Sequence, residues 1–154
     1  NKAALRQWQT SASKATFSSA LLPDKLAHEV AKEFTDKAIL TLQTLRSHDQ
    51  YNTSIYGMDD RYRGIYGERR VIFVNAEDML QQQLKNGDKV KITTVSSDNI
   101  LRSITDFKVV EYNIPQGCAA AYYPETNPLV PLESTADGCG TPTYKSIAIT
   151  IEKI

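Results

Sequence analysis

Five short runs rich in β-branched and apolar residues, each bounded by turn-forming residues, constrain this chain more than any other feature. They are Ala38–Leu45, Arg70–Asn75, Lys89–Val95, Leu101–Tyr112 and Tyr144–Glu152. Runs of this length bounded by Gly, Pro, Asn and Asp predict strands rather than helices. Lys89-Val-Lys-Ile-Thr-Thr-Val95 alternates as a half-exposed strand does, Ile147, Ile149 and Ile151 share one face of the last run, and Leu101–Tyr112 has room for one or two strands. Strands of unequal length interrupted by helical segments favour a small closed barrel over a sandwich.

Two short helices are expected between the strands. Leu22, Leu26, Val30 and Phe34 recur every four residues, with Pro23 suited to a first helical turn, which predicts an amphipathic helix over 22–34. Asn75 is placed to cap a second helix over 76–84, with Asp78 in its first turn where a negative charge meets the helix dipole favourably. Asn86-Gly-Asp88 and Ser97-Asp-Asn99 read as turns. Ile114-Pro-Gln-Gly-Cys-Ala-Ala-Ala-Tyr-Tyr-Pro124 is a run of small residues suited to close backbone approach. Residues 1–20, rich in Ser, Thr and Ala, read as an arm or linker, and Asn1 in place of an initiator Met suggests a piece of a longer reading frame.

A chain of 154 residues, 41% hydrophobic and 23% charged, has the makings of one domain whose core needs neither disulfide nor metal. Cys118 and Cys139 match neither zinc-ligand nor redox-pair spacing and are expected as free thiols. Eighteen basic residues against eighteen acidic give no overall field for a polyanion, so nucleic acid is not an expected partner. Neither is a membrane: no stretch approaches the roughly 18 apolar residues of a span. With no basic-then-apolar leader, a cytoplasmic location is the expectation.

Polar chemistry concentrates in Arg46-Ser-His-Asp-Gln-Tyr-Asn-Thr53, directly after the first strand. As a catalytic acid/base set it is poorly arranged, because adjacent His48 and Asp49 on a strand end should point to opposite sides. As a binding loop for a phosphate-bearing ligand it is well supplied, with a forked cation in Arg46 and short hydrogen-bonding groups in Asn52 and Thr53. Asn75, Asp78, Asn127 and Lys145 stand at element ends where ligand sites gather. No phosphate-binding glycine motif, HExxH or metal-ligand spacing is present, and no Ser or Cys stands out as a nucleophile.

These segments together carry a resemblance. The ordered series Arg46-Ser-His-Asp-Gln-Tyr-Asn-Thr53, Asp60-Arg-Tyr-Arg-Gly64, Val74-Asn-Ala-Glu-Asp78, Asn86-Gly-Asp-Lys-Val90, Ile114-Pro-Gln-Gly117, Tyr123-Pro-Glu-Thr-Asn-Pro-Leu129 and Thr141-Pro-Thr-Tyr-Lys145 resembles the C-terminal molybdopterin-dinucleotide-binding domain of formate-dehydrogenase-like molybdenum oxidoreductases. Ser13-Lys-Ala-Thr-Phe17 is similar to a Ser-Gly-Lys-Ala-x-Phe run that precedes the domain in that family, with Ser13 standing where Gly is usual.

The resemblance implies a mainly β fold, a double-psi β-barrel of the aspartate-decarboxylase-like kind with one or two short helices. It implies an arm and short helix over 1–37, joining a preceding domain, and the barrel over 38–154. The implied cofactor is bis(molybdopterin guanine dinucleotide) with molybdenum, bound jointly with the remaining domains of the same oxidoreductase chain, which are its partners. Arg46, His48, Gln50, Asn52 and Thr53 fall on the loop meeting the pterin and diphosphate, Asn75 and Asp78 near the guanine end, and Asn127 and Lys145 at two later contacts. No catalytic or metal-ligating residue is implied within the chain, so it would not turn over substrate alone. The alternative is a stand-alone double-psi barrel serving as an interaction or substrate-recognition module.

Overall fold

In the computed structural model, which describes residues 4–154, six strands close into one barrel. They are β1 (Leu40–Leu45), β2 (Val71–Val74), β3 (Lys89–Thr94), β4 (Ser103–Glu111), β5 (Cys118–Tyr122) and β6 (Ile147–Lys153). Around the barrel the order is β1-β5-β2-β4-β3-β6, with β1 parallel to β5 and β2 parallel to β4, and every other neighbour antiparallel. Two parallel pairs, each linked by a long crossover within a six-stranded closed barrel, make the fold a double-psi β-barrel. Closure leaves no unpaired strand edge.

Side chains alternate between two apolar layers. Leu42, Ile72, Val74, Val90, Ile92, Phe107 and Ile149 fill the barrel interior. On the outside of β5 and β2, Phe73, Val71, Ala120 and Tyr122 form a second cluster with Ile65, flanked by Leu45, Tyr112 and Ile114. All four residues of β2 are therefore buried, because the 46–67 loop and the 112–115 connection cover its outer face.

The expected loop over 114–124 contains a strand. β5 lies between β1 and β2, in register Leu42↔Ala119 and Phe73↔Ala120. Alanine is a weak strand former, so this strand is specified by closure: Ala119 and Ala121 leave room for larger interior neighbours such as Leu42 and Ile72. The 101–112 run is one strand, with a register shift opposite Val90 and Ile92.

The helix expected over 22–34 is only α1, Ala27–Ala31, entered through the Glu29 carboxylate, which accepts the Leu26 main-chain N–H at 2.8 Å. Leu22 and Leu26 remain exposed, so the N-terminal half of the apolar stripe has no surface to pack on among the described residues and does not form helix. Residues 4–26 carry no strand or helix; the part of the expected arm over 1–3 lies outside the described residues. After β2, Asn75 caps α2 (Ala76–Gln81) by accepting the Glu77 N–H at 2.8 Å. Both cysteines are free.

Candidate functional site

Arg46 leaves the end of β1 and is fixed at two points: its Nε donates to the Tyr123 hydroxyl at 2.7 Å and its Nη2 to Asn52 Oδ1 at 2.6 Å. Asn52 takes a left-handed φ of 48°, a conformation that Asn tolerates better than most residues, and this turns its side chain back toward Arg46. Across the gap, Lys145 donates to the Thr44 carbonyl from a turn two residues before β6, short of the strand start expected for it. Together with Thr53, Asn127 and Tyr144, these groups surround a cavity of about 500 Å³. Two cations face it and no carboxylate does. The Thr53 and Asn127 side chains, both exposed, make no hydrogen bond among the described residues. The cavity thus offers positive charge and unspent donors and acceptors, the chemistry of an anion site.

The remaining sequence-predicted residues lie elsewhere. Gln50 is a buried strut: its Oε1 accepts the Ser47 N–H at 2.9 Å, and its Nε2 donates to the main-chain oxygens of Asn52 and Tyr123, each at 2.8 Å. It shapes the loop without lining the cavity. His48 turns away, its ring edge-on to Tyr62 at 3.9 Å between centroids, with Arg61 Nη2 2.8 Å from its Nε2. The expectation that His48 and Asp49 diverge is corrected here. The chain has left the strand, Asp49 adopts φ 55°, and its Oδ1 lies 3.1 Å from His48 Nε2. The pair sits outside the cavity and beside no nucleophile.

Asn75 and Asp78 also do not line the cavity. Asn75 Nδ2 donates to the Ile114 carbonyl at 2.6 Å, and the buried Asp78 Oδ2 accepts the Gly117 N–H at 2.7 Å. They tether the 114–117 segment, so Asp78 does more than meet a helix dipole. Gly117 takes φ 77° in that turn, a conformation that costs glycine little.

Sequence reasoning does not find the frame behind the loop. Arg69, 4% exposed, donates from Nε to Glu125 Oε1 at 2.6 Å, from Nη1 to Ser47 Oγ at 2.7 Å, and from Nη2 to Gln50 Oε1 and the Tyr123 carbonyl, each at 3.0 Å. Its guanidinium carbon lies over the Tyr56 ring at 4.4 Å and over the Tyr122 ring at 4.9 Å from the centroids. This one side chain ties the segment after β1 to the segment after β5, and these carry Arg46 and Asn127. The available signal is the basic pair Arg69-Arg70 opening an otherwise apolar strand.

A second frame holds the tip of the loop. Buried Asp60 accepts from Arg63 Nη1 at 2.5 Å and from the Tyr122 hydroxyl at 2.8 Å. Burial works against the Asp60 charge, but the hydrogen bonds from Arg63 and Tyr122 outweigh it and hold the carboxyl below the usual carboxylate range. Burial first, then Asp60, pushes the Tyr122 hydroxyl up, which keeps it a neutral donor.

Comparison with known proteins agrees with this architecture. Residues 40–148 match the molydopterin dinucleotide binding domain family. An uncharacterized oxidoreductase of Mycobacterium tuberculosis is 54% identical over 117 residues, covering 73% of this chain and 15% of the relative. Protein YdeP of Escherichia coli K12 is 40% identical over 154 residues, 99% of this chain and 20% of its own length. The chain therefore spans about a fifth or less of the curated relatives it matches. Among solved structures, acetylene hydratase from Pelobacter acetylenicus shares the fold, with a TM-score of 0.57 at 14% identity over 82% of this chain and 19% of that one. By sequence and by barrel, the chain belongs to the molydopterin dinucleotide binding domain family.

Proposed function

We propose that this domain holds the guanine dinucleotide form of molybdopterin in a formate-dehydrogenase-like molybdenum oxidoreductase, with the diphosphate in the cavity between Arg46 and Lys145. The convergence of Arg46, Asn52, Thr53, Asn127 and Lys145 on one cavity without a carboxylate carries the reading. A ligand with several negative charges needs at least two cations, and the donor set fits such a ligand. Arg46 binds phosphate through its Nη1, the nitrogen that neither Tyr123 nor Asn52 occupies. Thr53 and Asn127 hydrogen-bond phosphate or ribose oxygens. Gln50 shapes the loop that carries Arg46; Asn75 and Asp78 tether the 114–117 segment outside this cavity, and His48 braces the outer loop.

When bound, the molybdenum centre supplies the electron transfer to or from a small substrate; this chain orients the cofactor and shields it from water. The isolated domain is inactive in this reading, since the cavity is lined by no Ser, Cys, His or carboxylate, and the rest of the site comes from other domains of the same cytoplasmic polypeptide.

The test is Arg46→Ala in a full-length polypeptide carrying this domain, with molybdenum and pterin measured per protein. The reading requires a large drop in both while the barrel's circular dichroism is retained. Normal cofactor content would remove Arg46 from the site.

A further inference from the structure

A second cavity, of about 490 Å³, lies on the outer face of the barrel. Thr41 and Gln43 of β1, with Cys118 and Ala120 of β5, form its floor, and Phe73 and Tyr112 contribute aromatic walls. A floor of Thr41, Cys118 and Ala120 with Gln43 at its exposed edge, between flat aromatic walls, suits a planar apolar group. Only two charged residues line it, Arg63 and Lys145, and both are cations. Lys145 also lines the first cavity, so the two are adjacent.

Arg63 is held in a fixed pose. Its Nη1 is spent on Asp60 at 2.5 Å and on the Arg46 carbonyl at 3.3 Å, while Nε and Nη2 have no partner among the described residues. Asp60 is itself 1% exposed, and the oxygen that takes Arg63, Oδ2, also accepts the Tyr122 hydroxyl at 2.8 Å. A buried carboxylate that orients a cavity-lining cation and leaves its other nitrogens without a partner is how proteins preorganise anion binding. An Arg needed only to neutralise Asp60 would not have to border an apolar cavity that contains no acid.

We propose that the second cavity binds a planar apolar group bearing an anionic substituent, that Arg63 grips the anion, and that Asp60 is the positioning residue for Arg63. The proposal uses the diphosphate reading of the first cavity only for adjacency, and its test is separable from that reading.

The probe is 1-naphthyl phosphate, followed by its fluorescence on addition of the chain, with and without saturating GDP. The wild-type chain should bind it in both conditions. Arg63→Gln should weaken binding about tenfold or more, the loss expected for one charge-assisted contact, and Arg63→Lys should fall between. Asp60→Asn should weaken it in the same direction with far-ultraviolet circular dichroism unchanged; if that variant unfolds, the two Arg63 variants decide. Three results each overturn the proposal: no binding to the wild type, equal binding by Arg63→Gln, or complete displacement by GDP, which would mean a single site. If GDP itself fails to bind, the diphosphate reading fails while naphthyl phosphate still decides this one.

Discussion

Replacing Arg69 with Met removes the frame that joins the two halves of the first cavity. Arg69 is buried, and its Glu125 partner has a side chain only 16% exposed, so the substitution leaves a largely buried carboxylate without its cation. It also strips donors from Ser47 Oγ, Gln50 Oε1 and the Tyr123 carbonyl. Breaking a buried ion pair on one side costs about 3–5 kcal/mol, against about 5–15 kcal/mol for the whole stability of a typical domain. With a urea dependence of about 2 kcal/mol per molar, the unfolding midpoint should fall by about 1.5–2.5 M with little change in slope. Urea unfolding followed by circular dichroism measures this directly. Arg69→Met combined with Glu125→Leu should recover much of the loss, because an apolar pair can replace a buried ionic one at little cost. A midpoint shift of less than about 0.5 M for the single variant would refute the reasoning, since it would put Arg69 in the class of exposed ion pairs worth under about 1 kcal/mol.

Other substitutions separate scaffold from ligand contact. Gly117→Ala should destabilise by about 1–2 kcal/mol through its left-handed φ alone, because an added Cβ there meets nothing within 4 Å; thermal unfolding checks it, and a neutral result would mean the turn relaxes freely. Asp78→Ala should cost about 1–3 kcal/mol by leaving the Gly117 N–H unpartnered, with the ratio of GDP to ADP affinity kept; a lost ratio at unchanged stability would return Asp78 to the ligand. Acid should destabilise the domain. Asp60 is held low by Arg63 and Tyr122 despite its burial, and Asp98 is held to about 2 by its Arg102 hydrogen bond, so both contribute stability above the unfolded carboxylate value of about 3.9. That stability is lost as pH falls from there through the folded values, and Asp60→Asn should flatten the decline between pH 4 and pH 2 in equilibrium unfolding.

Legibility in the sequence follows from how local the determining interactions are. β1, β2, β3 and β6 can be read because β-branched residues and turn chemistry act within a few positions, as in Val71-Ile-Phe-Val74 and Asn86-Gly-Asp88. β5 cannot, because Cys118-Ala-Ala-Ala-Tyr122 is extended by its neighbours β1 and β2 and by the need for small side chains between them. α1 stops short of its periodic pattern for the converse reason: periodicity at Leu22 and Leu26 marks a face, and nothing among the described residues covers it. The side chains around the first cavity were legible as residue types in a polar loop. Asn127 and Lys145 stand out only as polar residues at element ends, and the resemblance is what assigns them to the same ligand as the loop. The supports, Arg69 with Glu125 and Asp60 with Tyr122, join positions more than fifty residues apart, and no local pattern reports a partner at that distance.

The central claim is that the cavity between Arg46 and Lys145 binds a guanine nucleoside diphosphate. Calorimetric titration of this chain with GDP, with GMP and ADP in parallel, tests it most directly. The account predicts that GDP binds more tightly than GMP and than ADP, and that Arg46→Ala and Lys145→Ala each weaken GDP by about tenfold or more, as loss of a charge-assisted phosphate contact requires. GDP binding that neither substitution alters, or no GDP binding at all, would contradict it.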